Sequence, residues 1–162
     1  MKVSMVTNQK GMTLIEVIIT LSIASIIMAY GIPNMRDFYL KQTLNEQANS
    51  ILADISFSRG ESINKGLSIR ISGIDGDFEN GWEIVSDSNR NGAVDGSDEI
   101  LRKTKFTNSN LSLVDSEPGN PIYFSPTGAL HSGFSRVFQV KHNDIPTIKN
   151  ITISLSGSTS VN

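Results

Sequence analysis

The amino-acid sequence predicts an α+β fold in which one long N-terminal helix, a membrane half followed by an amphipathic half, packs on an antiparallel β-sheet domain. A run of 19 uncharged, mostly apolar residues covers positions 17–35, and apolar residues then recur at helical spacing. Short apolar runs separated by turn residues follow. The expected segments are an N-terminal segment at 1–11, a membrane helix at 12–35, its amphipathic continuation at 36–66 and a β-rich domain at 67–162.

The apolar run is long enough to cross a membrane. In an α-helix its residues span about 30 Å, which matches the hydrocarbon core of a bilayer. Lys2 and Lys10 precede the run, so the positive-inside rule places the N-terminus in the cytoplasm and the domain outside. The alternative is an ordinary secretory signal, with an apolar stretch at 12–24 and a small-residue cleavage site at 22–24.

Glu16 lies at the start of the apolar run, where an ordinary signal or a plain anchor gains nothing from a charge. A lone carboxylate in a bilayer costs about 2.5 to 3.5 kcal/mol on insertion scales unless a cation or a proton reaches it. Cleavage after Gly11 would expose an α-ammonium on Met12, four residues from Glu16. The carboxylate and the new N-terminus would then form an ion pair, and this argues against the ordinary signal.

The segment 10–16, KGMTLIE, together with the apolar run and Pro33, resembles the class III signal of type IV pilins and of the pseudopilins of type II secretion. The resemblance implies cleavage after Gly11 by the prepilin peptidase and N-methylation of Met12. It also implies that Glu16 pairs with the N-terminus of a neighbouring subunit in a filament. Family members usually have Phe where this chain has Met12.

The amphipathic half of the helix follows Pro33. This proline is expected to bend or loosen the helix, because it removes a backbone hydrogen bond and clashes with the preceding turn. The helix is predicted to end at Gly66, which can adopt the left-handed conformation of a C-cap. One face of the predicted helix carries Leu44, Ala48, Ile51, Leu52, Ile55 and Ile63.

The rest of the chain is predicted to form an antiparallel sheet of short strands. Trp82 is expected in its core, and SPTG at 125–128 is a turn by composition. Pro146 is expected to separate the last two strands. The candidate strands lie at 67–71, 82–84, 100–101, 111–113, 121–124, 137–140 and 151–155.

Motifs of this β-rich part are similar, in order and spacing, to the GspH/FimT-type minor pseudopilins. They are GWEIV at 81–85, an Asp/Asn/Gly loop, EILR at 99–102 and YFSPTG at 123–128. The resemblance implies a pilin fold and a structural subunit, not an enzyme, that primes or caps a type IV pilus or a type II secretion pseudopilus. The implied partners are the prepilin peptidase, other minor pilins, the major pilin and the inner membrane, with the domain in the periplasm.

The loop 87–98 carries oxygen-bearing residues at the spacing of a Ca²⁺-binding loop. Such a loop uses side-chain oxygens at positions 1, 3, 5, 9 and 12, a glycine at position 6 and the carbonyl of position 7. Two neutral asparagines and an Asp at position 12 weaken the match, and an acidic hairpin that binds nothing is the alternative. The candidate ligands are Asp87, Asn89, Asn91, Ala93, Asp95 and Asp98.

The sequence gives little support for catalysis or for nucleic-acid binding. His131 and His142 have no spaced partner and are expected at the surface or in turns. Without Lys2 and Lys10 the mature chain has 12 basic against 16 acidic residues, a formal charge of −4, which disfavours nucleic acid. DNA receptors of the FimT type carry Gly-Arg-x-Arg near the C-terminus, where this chain reads GSTS at 157–160. The absence of cysteine excludes disulfides.

Overall fold

The computed structural model describes residues 11–89, 91, 95–96, 98–106, 110–131 and 133–162. The chain divides into two units, Met1–Phe38 and Tyr39–Asn162. Helix α1 (Leu14–Lys65) begins in the first unit and ends in the second, and the strands belong to the second. The predicted fold class, a long N-terminal helix packed on antiparallel strands, is confirmed.

In the first unit the helix lies open to its surroundings. Its hydroxyl groups bond within the helix: those of Thr20, Ser22 and Ser25 donate to carbonyls three or four residues earlier, at 2.7–2.9 Å. Helical structure continues through Pro33, so this proline does not end the helix. The segment 22–24, the alternative cleavage site of a secretory signal, lies inside α1.

In the second unit the helix turns a stripe of small and apolar side chains toward the strands. Ile63, predicted on this stripe, is instead 50% exposed. Ser58 and Ser62, both fully buried, continue the stripe at steps of three and four residues, and Ile63 falls one position to the side. The predicted members that are buried are Leu44, Ala48, Ile51 and Ile55, with Leu52 packed against them.

The helix ends as the sequence predicts. Gly66 has φ +62°, in the left-handed region. The N–H of Leu67 donates back to the Ser62 carbonyl at 3.3 Å, which is the six-to-one bond of a Schellman C-cap.

The described strands form two four-stranded antiparallel sheets rather than the single sheet expected. Their orders are β3-β2-β1-β5 and β4-β6-β7-β8. The inner faces of both sheets and the stripe of α1 share one core. The strands are β1 (Ile69–Ile74), β2 (Asp77–Ser86), β3 (Glu99–Thr104), β4 (Leu111–Asp115), β5 (Ile122–Phe124), β6 (Arg136–His142), β7 (Ile145–Ile153) and β8 (Thr159–Val161).

Pro146 lies inside β7, so it does not separate two strands as expected. It follows the pair His142↔Ile145, and the next pair is Lys141↔Ile148, with the β6–β7 register shifting between them. A proline is tolerated near the start of a strand and at an irregularity, because no ladder hydrogen bond is required from it there.

The prediction that both histidines lie at the surface or in turns is wrong for His142. His131 is exposed, but His142 is 4% exposed and belongs to the inward row of β6 with Arg136, Phe138 and Val140. Its Nδ1 accepts the N–H of Asp144 at 3.1 Å. The imidazole therefore closes the β6–β7 turn from inside the core. Trp82, 2% exposed, lies in the core as predicted.

Candidate assembly and anchoring site

The bond expected to join leader and mature chain lies just before the helix. Gly11, Met12 and Thr13 are non-helical and exposed, and α1 begins at the next residue. Thr13 fixes that start, since its carbonyl accepts the Val17 N–H at 3.2 Å and its Oγ1 accepts the Glu16 N–H at 3.3 Å. The bond expected to be cleaved, Gly11–Met12, is therefore outside the helix.

Glu16 lies in the first turn of α1 and is exposed. A carboxylate in this position is favoured by the positive end of the helix dipole. Among the residues that the structure describes, no cation forms an ion pair with it. The carboxylate is thus open to a partner from outside the described chain.

The first half of α1 presents apolar side chains in all directions. An 18-residue window has a mean hydropathy of 2.1, and none of that window is buried. The helix is long and apolar enough to cross a membrane. An apolar surface of this size is stable only against lipid or other apolar helices. Its large exposed side chains are Leu14, Ile15, Val17, Ile18, Ile19, Leu21, Ile23, Ile26, Ile27, Met28, Tyr30, Ile32 and Met35.

A buried carboxylate joins the second half of α1 to the first sheet. Asp54 accepts hydrogen bonds from Trp82 Nε1 and Thr104 Oγ1, each at 2.8 Å, and from Arg102 Nη1 at 2.5 Å. The Arg102 guanidinium also lies over the Phe57 ring, 4.2 Å from its centroid. Our sequence analysis did not identify this cluster. The sequence feature that could have indicated it is Asp54 itself, an acid within the apolar stripe of the predicted helix.

A buried ion pair holds the connection between β4 and β5. Arg136 pairs with Asp115 through two nitrogens: its Nε donates to Oδ1 at 2.9 Å, and its Nη2 donates to Oδ2. Its Nη2 also donates to the carbonyls of Glu117, at 3.0 Å, and Asn120, at 2.5 Å. The guanidinium lies 5.3 Å from the ring centroid of Phe78, which itself packs edge-on against the core. This pair is structural, since both carboxylate oxygens and two of the three guanidinium nitrogens bond within the chain.

Arg59 fixes two turns beside the helix. Its Nε donates to the Gly128 carbonyl at 3.1 Å and its Nη2 to the Ser156 carbonyl at 3.2 Å. The SPTG turn and the β7–β8 turn thereby meet at one side chain. The segment GSTS, at the position of the Gly-Arg-x-Arg motif, forms the end of that second turn and the start of β8.

The loop 87–98 is closed by hydrogen bonds among its own residues. The carboxylate of Asp98 accepts the N–H groups of Ser88 and Asp95, each at 2.9 Å. Both of its oxygens therefore already bond to the backbone of the loop.

The other candidate calcium ligands are engaged in the same way. The Asn91 N–H donates to Asp87 Oδ1 at 3.2 Å and to Asn89 Oδ1 at 2.9 Å, and its Nδ2 donates to Asp95 Oδ2 at 3.3 Å. Ala93, whose carbonyl was expected to take part, lies outside the described residues. Within the described ranges, no three His, Cys, Asp or Glu side chains come together in a way that could hold a metal ion.

The first half of α1 is apolar and not buried, and its second half packs on antiparallel strands. This architecture is that of the pilin class of proteins. The family model described as "Type II transport protein GspH" matches residues 47–157, which is most of the chain. The model described as "Prokaryotic N-terminal methylation motif" matches residues 6–31. The chain belongs to the GspH family and carries a prepilin-type N-terminus.

Solved structures show the same fold. Two crystal forms of the type IV minor pilin FimU of Pseudomonas aeruginosa are similar to the chain, with TM-scores of 0.63 and 0.55 at 21% sequence identity. The similarity covers 75% of this chain in both forms, and 90% and 91% of the FimU chain. No protein with curated annotation matches the chain significantly.

Proposed function

We propose that this chain is a minor pilin or pseudopilin that primes or caps a type IV pilus or a type II secretion pseudopilus. The observation that carries the proposal is the contrast between the two units. The second has a core of its own, whereas the described part of the first is mainly a helix whose most apolar window contains no buried residue. Such a helix needs lipid before assembly and the helices of other subunits afterwards.

The proposed maturation uses the junction before α1. The prepilin peptidase cleaves the Gly11–Met12 bond, and the new amine of Met12 is methylated. Glu16 then pairs with the N-terminus of a neighbouring subunit inside the apolar bundle of the filament. The exposure of Glu16 in this chain supports the pairing, because a carboxylate that enters an apolar environment needs a cation.

The proposed location follows from the same helix. The chain is a single-pass protein of the inner membrane with its domain in the periplasm, and it then joins a filament with other minor pilins and the major pilin. The fold that it shares with a protein described as a type IV minor pilin supports a minor role. We propose that the domain performs no catalysis and serves as a contact surface, since the buried ions Asp54 and Arg136 are used in holding the fold.

The decisive experiment replaces Glu16 with Ala in the full chain and measures its incorporation into sheared filaments or its cross-linking to partner pilins. We expect incorporation to fall about tenfold or more, because the N-terminal cation of the neighbour loses its buried partner. The matched control is Glu46→Ala. Glu46 is an exposed acid of the same helix that accepts a hydrogen bond from the exposed Gln42, at 3.2 Å, and its loss should leave incorporation unchanged.

Mass spectrometry of the native N-terminus tests the processing step separately. We expect a chain that begins with N-methylated Met12. A chain that begins at Met1, or downstream of Ser22, would contradict the proposal, and so would normal incorporation of the Glu16→Ala variant.

A further inference from the structure

Helix α1 begins within two residues of the Gly11–Met12 bond, which itself is non-helical. The Oγ1 of Thr13 accepts the Glu16 N–H, and its carbonyl accepts the Val17 N–H. Thr13 is thus the N-cap of α1, the residue whose side chain pairs an amide that has no partner within the first turn.

We propose that Thr13 is a positioning residue for leader removal, because its cap holds the Gly11–Met12 bond outside the helix in a form that the peptidase can bind. This inference rests on the proposed function, which assigns cleavage to that bond. In the reaction, water adds across the amide, so that Gly11 leaves as a carboxylate and Met12 gains the amine. A bond inside a helix becomes accessible only after local unfolding. The cleavage rate therefore follows the fraction of molecules in which the bond is free.

Loss of the cap lengthens the helix rather than fraying it. The first amides of α1 belong to an apolar segment, and an amide without a partner is poorly tolerated beside lipid. One more turn toward the N-terminus would pair the N–H groups of Ile15 and Glu16 with the carbonyls of Gly11 and Met12. The carbonyl of Gly11 is the one that the peptidase must attack. Asn8, a residue type favoured as an N-cap, is available upstream to end the longer helix.

The test compares Thr13→Val with the wild type, as full chains in inner membranes that contain the prepilin peptidase. Valine keeps the shape of threonine and removes the hydroxyl. We expect leader removal, followed in a pulse-chase experiment, to become slower by up to about fivefold, which is the full effect of losing one N-cap. Thr13→Ser keeps an acceptor and should restore the wild-type rate.

The matched control is Thr20→Val. It makes the same chemical change in the same helix, but the Thr20 hydroxyl donates to the Val17 carbonyl, at 2.9 Å, and caps nothing. Its rate should equal that of the wild type. Resistance of all variants to alkaline extraction would show that the anchor is inserted equally, so that a rate difference reports the junction and not the membrane helix.

Two results would overturn the inference while leaving the proposed function intact. The first is a Thr13→Val chain cleaved at the wild-type rate. The second is a Thr13→Ser chain as slow as Thr13→Val, which would mean that the peptidase reads the threonine itself. A wild-type chain that is not cleaved at Gly11–Met12 would instead remove the proposed function, and the inference with it.

Discussion

Trp82 Nε1 donates a hydrogen bond to Asp54 Oδ2 at 2.8 Å, and this contact joins the helix to the middle of the first sheet. The indole is buried in the core, and the carboxylate also accepts bonds from Arg102 and Thr104. One acid of α1 thus satisfies donors from both β2 and β3. Removing it would leave several donors without their acceptor.

We therefore expect Asp54→Ala to destabilise the domain by about 3 kcal/mol, since buried donors that lose a charged acceptor keep the full penalty of desolvation. The measurement is urea unfolding of a chain that starts at Tyr39. Glu46→Ala, which removes an exposed acid from the same helix, should change the free energy of unfolding by less than about 0.5 kcal/mol. Equal effects of the two substitutions would contradict the role given to Asp54.

Gly157 should be more sensitive to substitution than Gly76. Both have a positive φ, +78° and +81°, so alanine at either is expected to lose about 1–2 kcal/mol. A Cβ at Gly157 would also overlap the Gly128 carbonyl and crowd the Arg59 side chain, whereas a Cβ at Gly76 meets open space. Thermal or urea unfolding of the two alanine variants should show a further loss of about 1–3 kcal/mol for Gly157→Ala. Equal losses of stability in the two variants would show that the turns containing Gly128 and Gly157 can move apart without cost.

The buried pair of Arg136 and Asp115 should show strong coupling in a double-mutant cycle. Arg136→Met leaves a buried carboxylate without its cation and is expected to destabilise the domain by about 3–5 kcal/mol. Asp115→Leu on that background removes the orphaned charge, so the double variant should be more stable than Arg136→Met alone. Urea unfolding of the four proteins gives the coupling energy. Simple additivity of the two single effects would contradict a direct buried pair.

Calcium is expected to leave the domain unchanged. The carboxylate of Asp98 and the amide oxygen of Asn89 already accept backbone N–H groups, so these candidate ligands have partners within the described part of the loop. We expect the same Tm with a chelator as with millimolar calcium. A Tm that rises with calcium concentration and falls when Asp98 is replaced by Asn would instead establish the calcium-binding loop that the spacing predicts.

The long helix and the positions of most strands could be predicted because they depend on local patterns. The period of the apolar residues marked the stripe of α1, and Gly66 marked its end. Ile63 was wrongly assigned to the stripe, because the spacing of apolar residues cannot show that serines complete the buried face. β8 was missed because Thr159–Val161 is three residues long and mostly polar.

The division into two sheets and the buried ion pairs could not be predicted, because they join residues far apart in the sequence. Asp54 and Trp82 are 28 positions apart, and Asp54 and Thr104 are 50 apart. Alternation shows which residues of a strand share a face but does not identify the strand beside it. The burial of His142 was within reach, since it continues the alternation of Phe138 and Val140 by one more step.

Cleavage at the junction before α1 stays a prediction. The residues at the expected cleavage point were identified by their resemblance to a prepilin signal, and the structure places them outside the helix. The hydroxyl of Thr13 was overlooked, although a threonine three residues before a glutamate is a common pattern at the start of a helix.

The hydroxyls of Thr20, Ser22 and Ser25 turn inward onto carbonyls of their own helix. None of these three groups therefore needs a hydrogen-bonding neighbour, whichever medium surrounds it. In the proposed assembly, the helix would therefore leave the lipid and enter a bundle of other helices without exchanging any of these bonds. When these groups pass from lipid into a helix bundle, their packing changes but their hydrogen bonds do not.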